Sequence, residues 1–152
     1  MKVYLAGPLF TTAERDFNRR LAEALRHAGH AVWLPQDHEQ RSRTPAEIFA
    51  DDVEGLHWAD GVVACMDGPD PDSGTCWECG YAYARGMPVV LFRTDFRAVG
   101  EHALAPYNLM MTESATAHLS LPLAGVEEVA RAVAGVLVGL ETAGEPGSAP
   151  PA

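Results

Sequence analysis

The chain has 152 residues, 47% of them hydrophobic, and a formal net charge of −10. That length fits one domain with a sizeable core, and no apolar run approaches the roughly 20 residues that a membrane helix needs. The acidic balance argues against a nucleic-acid backbone as partner, which requires a basic face, but it leaves a small nucleoside open.

Val3-Tyr4-Leu5-Ala6 reads as a short buried strand running into Gly7-Pro8. Thr11-x-x-Glu14 then has the form of a capping box, and Phe17, Leu21, Ala24, Leu25 and Ala28 give an apolar stripe at helical spacing, stopped by Gly29. Arg15, Arg19, Arg20 and Arg26 on this helix are interleaved with Glu14, Asp16 and Glu23, as on an ordinary solvated face. Ala31–Leu34 is a second strand, closed by Pro35, so the first third of the chain is a βαβ unit with a right-handed crossover. A polar loop is expected over residues 35–43. Thr44-Pro45-Ala46-Glu47 opens the next helix with a second capping box and a proline at the first helical position.

That helix carries Ile48, Phe49, Val53 and Leu56 and ends near His57-Trp58-Ala59, with Asp60 before a third strand, Gly61–Met66. Asp70–Gly80 follows as a Pro/Gly-rich loop leading into a helix with Trp77, Gly80, Tyr81 and Ala84 on one face. A loop that leaves a strand and opens a helix is where open α/β sheets bind ligands. Here it bears two carboxylates, Asp72 and Glu78, able to project into one crevice. A carboxylate near a helix N-terminus is held ionised by the dipole and free N–H groups, and paired carboxylates suit chemistry at a sugar anomeric carbon. The plainer alternative is that Asp72 and Ser73 cap the helix and Glu78 is solvated.

Gly86 ends this helix and Pro88–Phe92 is a fourth strand. Residues 93–115 form a long connection without periodicity, whose Tyr107, Leu109, Met110 and Met111 should cover the core or meet another subunit. Thr116–Leu119 is a short fifth strand, and Val126, Val129, Ala130, Val133, Leu137 and Leu140 mark a last amphipathic helix. A domain over residues 1–142 and a disordered tail over 143–152 are expected from the turn to Gly, Pro, Ser and Ala. The alternation implies an α/β, doubly wound three-layer sandwich with a mostly parallel five-stranded sheet of order 2-1-3-4-5. The N-terminus turns polar too quickly for a signal peptide, so a cytoplasmic location is expected. Three cysteines without secretory context argue against disulfides. Cys76-x-x-Cys79 has the form of a redox pair, but Glu78 inside it is atypical, and zinc would need a second Cys/His pair that the spacing lacks.

Four motifs in order carry a resemblance: Tyr4–Phe10, Ala59–Val63, Asp72–Gly80 and Asn108-Leu109-Met110. Together they resemble the nucleoside 2-deoxyribosyltransferase family across about three quarters of the chain. The resemblance implies a retaining, two-step deoxyribosyl transfer between nucleobases with no cofactor and no metal. Glu78 would be the nucleophile that holds the sugar as a covalent ester, and Asp72 would carry the proton of the base. Tyr4 would hold Glu78 in place, and Asp60 would match an acidic position near the sugar. Otherwise Tyr4 is a buried strand tyrosine and Asp60 a turn residue.

Gly7, Phe10 and Gly74 would line the substrate, with Phe10 stacking near the base. Glu39, beside Gln40, stands about where some members read the base edge. In the family, Asn108 and Met110 would close a neighbouring subunit's pocket, so a homodimer or higher homo-oligomer with a shared site is implied, acting on nucleosides and free nucleobases and not on nucleic acid or membranes. A related group with the same fold hydrolyses nucleoside 5′-monophosphates. It has Ser at the places of Asp72 and Asn108, and a carboxylate 4 Å from a phosphate costs about 1 kcal/mol even in water. Ser73, Thr75 and Arg15 favour that hydrolase, Asp72 and Asn108 the transferase. A non-catalytic nucleotide-binding module, using the helix N-terminus as an anion site, is the third reading.

Overall fold

A computed structural model describes residues 1–38, 43–100, 102 and 105–144. The strands are β1 (Lys2–Ala6), β2 (Ala31–Trp33), β3 (Gly61–Cys65), β4 (Val89–Arg93) and β5 (Ala117–Ser120). They form one sheet in the order β2-β1-β3-β4-β5, every pair parallel. The helices are α1 (Thr12–His27), α2 (Pro35–His38), α3 (Pro45–Trp58), α4 (Ser73–Ala84), α5 (Leu109–Ser114) and α6 (Val126–Gly144). This is the doubly wound arrangement and strand order that the sequence implies. The two short helices α2 and α5 lie in segments read from sequence as polar loop and aperiodic connection. The tail expected over 143–152 falls, except for the last two residues of α6, outside the described residues.

Burial explains the layering. β3 and β4 are buried at every residue, as central parallel strands covered on both faces must be, while edge strand β5 alternates. One core face packs Val3, Leu5, Val63 and Phe92 against Leu21 and Leu25 of α1 and Val129 and Val133 of α6. The other packs Tyr4, Val62, Ala64 and Leu91 against Leu56 of α3, Cys79 and Ala82 of α4, and Met111 of α5. Both capping boxes form as spaced: Thr11 with Glu14, and Thr44 with Glu47. Gly55 lets α3 lie on the Trp33 indole, since a Cβ there would stand 2.4 Å from Trp33 Nε1. All the strands point the same way, so the exits of β1, β2 and β3 open onto one edge. No helix among the described residues is long and apolar enough to cross a membrane.

Candidate active site

The crevice at that edge is a cavity of about 290 Å³. Its wall is built from Gly7, Leu9 and Phe10 after β1, Pro35 and His38 of α2, Arg43 beyond it, Ile48, Asp51 and Asp52 of α3, and Asp72, Gly74, Thr75 and Glu78 at the start of α4. This is the carboxyl edge of a parallel sheet at the reversal of strand order, where such folds bind ligands.

Asp72 is the N-cap of α4. Its Oδ2 accepts from the Thr75 backbone N–H at 2.9 Å and from Thr75 Oγ1 at 3.1 Å. Capping and facing the cavity are therefore not alternatives for Asp72; one oxygen caps and the carboxylate still lines the wall. Gly74 makes room for it, because a Cβ there would sit 3.1 Å from Asp72 Oδ2. Glu78, in the second turn of α4, is partly buried and takes a 2.6 Å hydrogen bond on Oε1 from the hydroxyl of fully buried Tyr4. Two chain segments 74 residues apart thus meet over one carboxylate.

The electrostatics correct one expectation. Burial pushes the Glu78 carboxyl up to about 7; the Tyr4 hydrogen bond opposes the rise, while the Asp52 and Asp72 charges add to it. Glu78 is thus poised near neutrality and not held firmly ionised by the helix. Burial also raises the Tyr4 hydroxyl far above its ordinary value, with the Glu78 charge next, so Tyr4 remains a proton donor in this bond.

Of the other residues singled out from sequence, Gly7, Phe10 and Gly74 line the cavity, with Phe10 exposed at its mouth. Glu39 lies outside the described residues. Asn108 and Met110 do not line this chain's cavity. Asn108 caps α5, its Oδ1 accepting from Met110 N at 2.9 Å, and the Met110 side chain is 70% exposed. Asp60 is a correction. It is exposed at the opposite, amino-terminal edge of the sheet, where its Oδ2 accepts from Lys2 N at 2.8 Å and its own N–H donates to Lys2 O at 2.8 Å. It ties the starts of β1 and β3 and cannot reach the crevice.

The acidic residue that does line the crevice is Asp52, whose charge acts on both Tyr4 and Glu78. A signal for it exists in the sequence: Ile48, Asp52 and Leu56 are spaced four apart, so a carboxylate interrupts the inward stripe of α3. Arg43 also lines the wall. It pairs with the Asp51 carboxylate and donates to His38 O at 3.3 Å and Glu47 O at 3.0 Å. His38 itself stacks on Trp33, ring centroids 4.1 Å apart. Among the described residues no cluster of His, Cys, Asp and Glu could hold a metal ion.

Fold and site together define a parallel α/β domain with a tyrosine-held carboxylate in a small-molecule crevice. A family model described as nucleoside 2-deoxyribosyltransferase matches residues 3–110. The chain belongs to that family. A solved structure of the 2-deoxyribosyltransferase from Bacillus psychrosaccharolyticus superposes with a TM-score of 0.65 at 31% identity, covering 86% of this chain and 90% of that one. The "Putative 2'-deoxynucleoside 5'-phosphate N-hydrolase 1" of Thermofilum pendens is 32% identical over 96 residues, 59% of this chain and 66% of that protein. An uncharacterised protein of Schizosaccharomyces pombe is 32% identical over 111 residues, 65% of this chain and 53% of that protein. The chain therefore spans between half and two thirds of the length of these two relatives.

Proposed function

We propose that this chain is a nucleoside 2-deoxyribosyltransferase working through a covalent glycosyl-Glu78 intermediate. The observation that carries the proposal is the 2.6 Å bond from Tyr4 to Glu78 at the crevice wall. Tyr4 engages Oε1, which leaves Oε2 to attack C1′ of a bound 2′-deoxynucleoside. Asp72 first takes a proton from solvent; as the C1′–O bond forms, the C1′–N bond breaks and its electron pair leaves with the base, to which Asp72 passes that proton. A second base then attacks C1′ from the same side as the first left, returns its proton to Asp72 and frees Glu78, so configuration is retained. Attack requires ionised Glu78, and a value of about 7 leaves roughly half of it in that form at neutral pH.

A neutral nucleoside suits this wall better than a phosphate. Asp51, Asp52, Asp72 and Glu78 line it, and Arg43 is already paired with Asp51. Arg15, a candidate phosphate ligand from sequence, donates instead to the carbonyls of Leu9 at 3.4 Å and Gln36 at 3.5 Å. The 5′-monophosphate N-glycosidase remains the second reading, favoured by the likeness to the Thermofilum pendens protein and by Thr75 in the wall. Turnover of deoxyinosine with adenine, against release of base from a deoxynucleoside monophosphate in water, separates the two. Base exchange supports the transferase; hydrolysis alone overturns it.

The active unit in this proposal is a homodimer, or a higher assembly of such pairs, in which α5 of one subunit lends Asn108 and Met110 to its neighbour's sugar site. Leu109 and Met110 are exposed on α5. Phe49 and Trp77, edge to face at 5.5 Å, are exposed on α3 and α4. Exposed apolar side chains of this kind, with Phe49 and Trp77 next in sequence to the crevice residues Ile48 and Glu78, suit cover by a second copy. The enzyme would need no cofactor or metal, act in the cytoplasm in nucleotide salvage, and bind neither nucleic acid nor membrane.

A further inference from the structure

Arg93 has no part in the chemistry above, yet it is a fully charged side chain only 3% exposed at the end of β4. Burying a guanidinium is costly unless its N–H groups find acceptors, and among the described residues both terminal nitrogens find them while the buried Nε does not. Here the acceptors come from two different loops. Arg93 donates through Nη1 to Met66 O, and through Nη2 to Gly68 O at 3.0 Å and Arg97 O at 3.1 Å. Met66 and Gly68 begin the connection that ends in Asp72 and α4. Gly68, at a φ of +104°, makes the turn. Arg97 lies on the segment that leaves the sheet after β4. Asp95 stands 3.8 Å from the guanidinium.

The same guanidinium lies over the ring of Tyr107, 5.5 Å from its centroid, within the range of a cation–π contact. Tyr107 is 1% exposed and directly precedes Asn108, the cap of α5. A second link joins the first two loops: the Asp67 carboxylate accepts from Thr94 N at 2.6 Å and Asp95 N at 2.8 Å.

We propose that Arg93 is a positioning residue that couples the Asp72 loop to the Asn108 segment. Through it, one subunit's own proton-carrying loop and the residues it lends to its neighbour are set together. This rests on the reading that Asn108 serves a neighbouring site. The guanidinium's planar fork is what allows the span: its N–H groups reach both loops while its central carbon lies over the Tyr107 ring. A lysine has one compact head and cannot do both.

The test reads hydrogen exchange and turnover separately in Arg93→Met. Four amides report the two segments. Thr75 and Cys76 donate to Asp72 at 2.9 Å each; Met110 and Met111 donate to Asn108 at 2.9 and 3.0 Å. The proposal expects both pairs to exchange at least tenfold faster, while amides of α1 and α6 stay within twofold. It also expects kcat for base exchange to fall about tenfold and the nucleoside KM to rise. Acceleration in one pair only, or uniformly along the chain, overturns it. Where Arg93→Met does not fold, Arg93→Lys carries the same readouts with the charge and stem retained. Coupled exchange in a chain whose wild type transfers no deoxyribose would overturn the functional reading and leave the Arg93 coupling standing.

Discussion

Glu78→Gln removes a titrating group while keeping an acceptor for the Tyr4 hydroxyl, so it isolates the cost of burying a negative charge at this position. The Glu78 carboxyl sits at about 7 in the folded chain against an ordinary 4.5. The folded state therefore binds the proton more tightly than the unfolded state does. For a raised carboxyl, stability is highest below about pH 4.5 and falls as pH rises through about 7, because ionisation must then occur in a poorly solvated place. The gap, at about 1.4 kcal/mol per tenfold, comes to roughly 3 kcal/mol at pH 8 and vanishes near pH 4. Urea unfolding of wild type and Glu78→Gln at pH 4.5 and pH 8 measures it. The variant should match wild type at the lower pH and be more stable by up to about 3 kcal/mol at the higher. Equal stabilities at pH 8, or a gain independent of pH, would refute the buried-charge argument.

Tyr4→Phe deletes the bond that holds the Glu78 value down, so the acidic limb of the pH–rate profile should move to higher pH and kcat at pH 7 should fall about tenfold or more. Asp52→Asn removes a charge that raises Glu78, so the same limb should move to lower pH, although the rate itself falls if Asp52 also touches the sugar. Asp60→Asn, at the far edge of the sheet, should leave kcat/KM within twofold while changing stability by no more than about 1 kcal/mol. Gly74→Ala puts a methyl 3.1 Å from Asp72 Oδ2 and should slow transfer from nucleosides with poor leaving groups more than from activated ones.

Much of this architecture is legible in the sequence because local and tertiary demands agree. Thr11-x-x-Glu14 and Thr44-Pro45-x-Glu47 cap the helices they announce, and the unbroken apolar runs of β3 and β4 are what two-sided burial requires. The pairing of Tyr4 with Glu78 follows from topology, since the β1 and β3 exits must share one edge. Asp60 misled because adjacency to a strand says nothing about which end of the strand faces the crevice. It precedes β3, and the crevice lies where β3 ends. Asp52 was hidden because one charge in an apolar helical stripe reads locally as a boundary of the stripe. The raised Glu78 carboxyl could not be read from sequence at all, since it depends on how deeply α4 sinks that side chain. The short helices α2 and α5 lack the length for a period to show, and α5 rests on the Asn108 cap and one buried residue, Met111.

The most direct test is the mass of the intact protein after incubation with a 2′-deoxy-2′-fluoronucleoside, whose fluorine slows breakdown of a glycosyl ester. A gain equal to one fluorinated sugar, located by peptide mapping on Glu78 and absent from Glu78→Ala, is the predicted result. Base release with no adduct, or an adduct on another residue, would contradict the assignment of Glu78 as nucleophile.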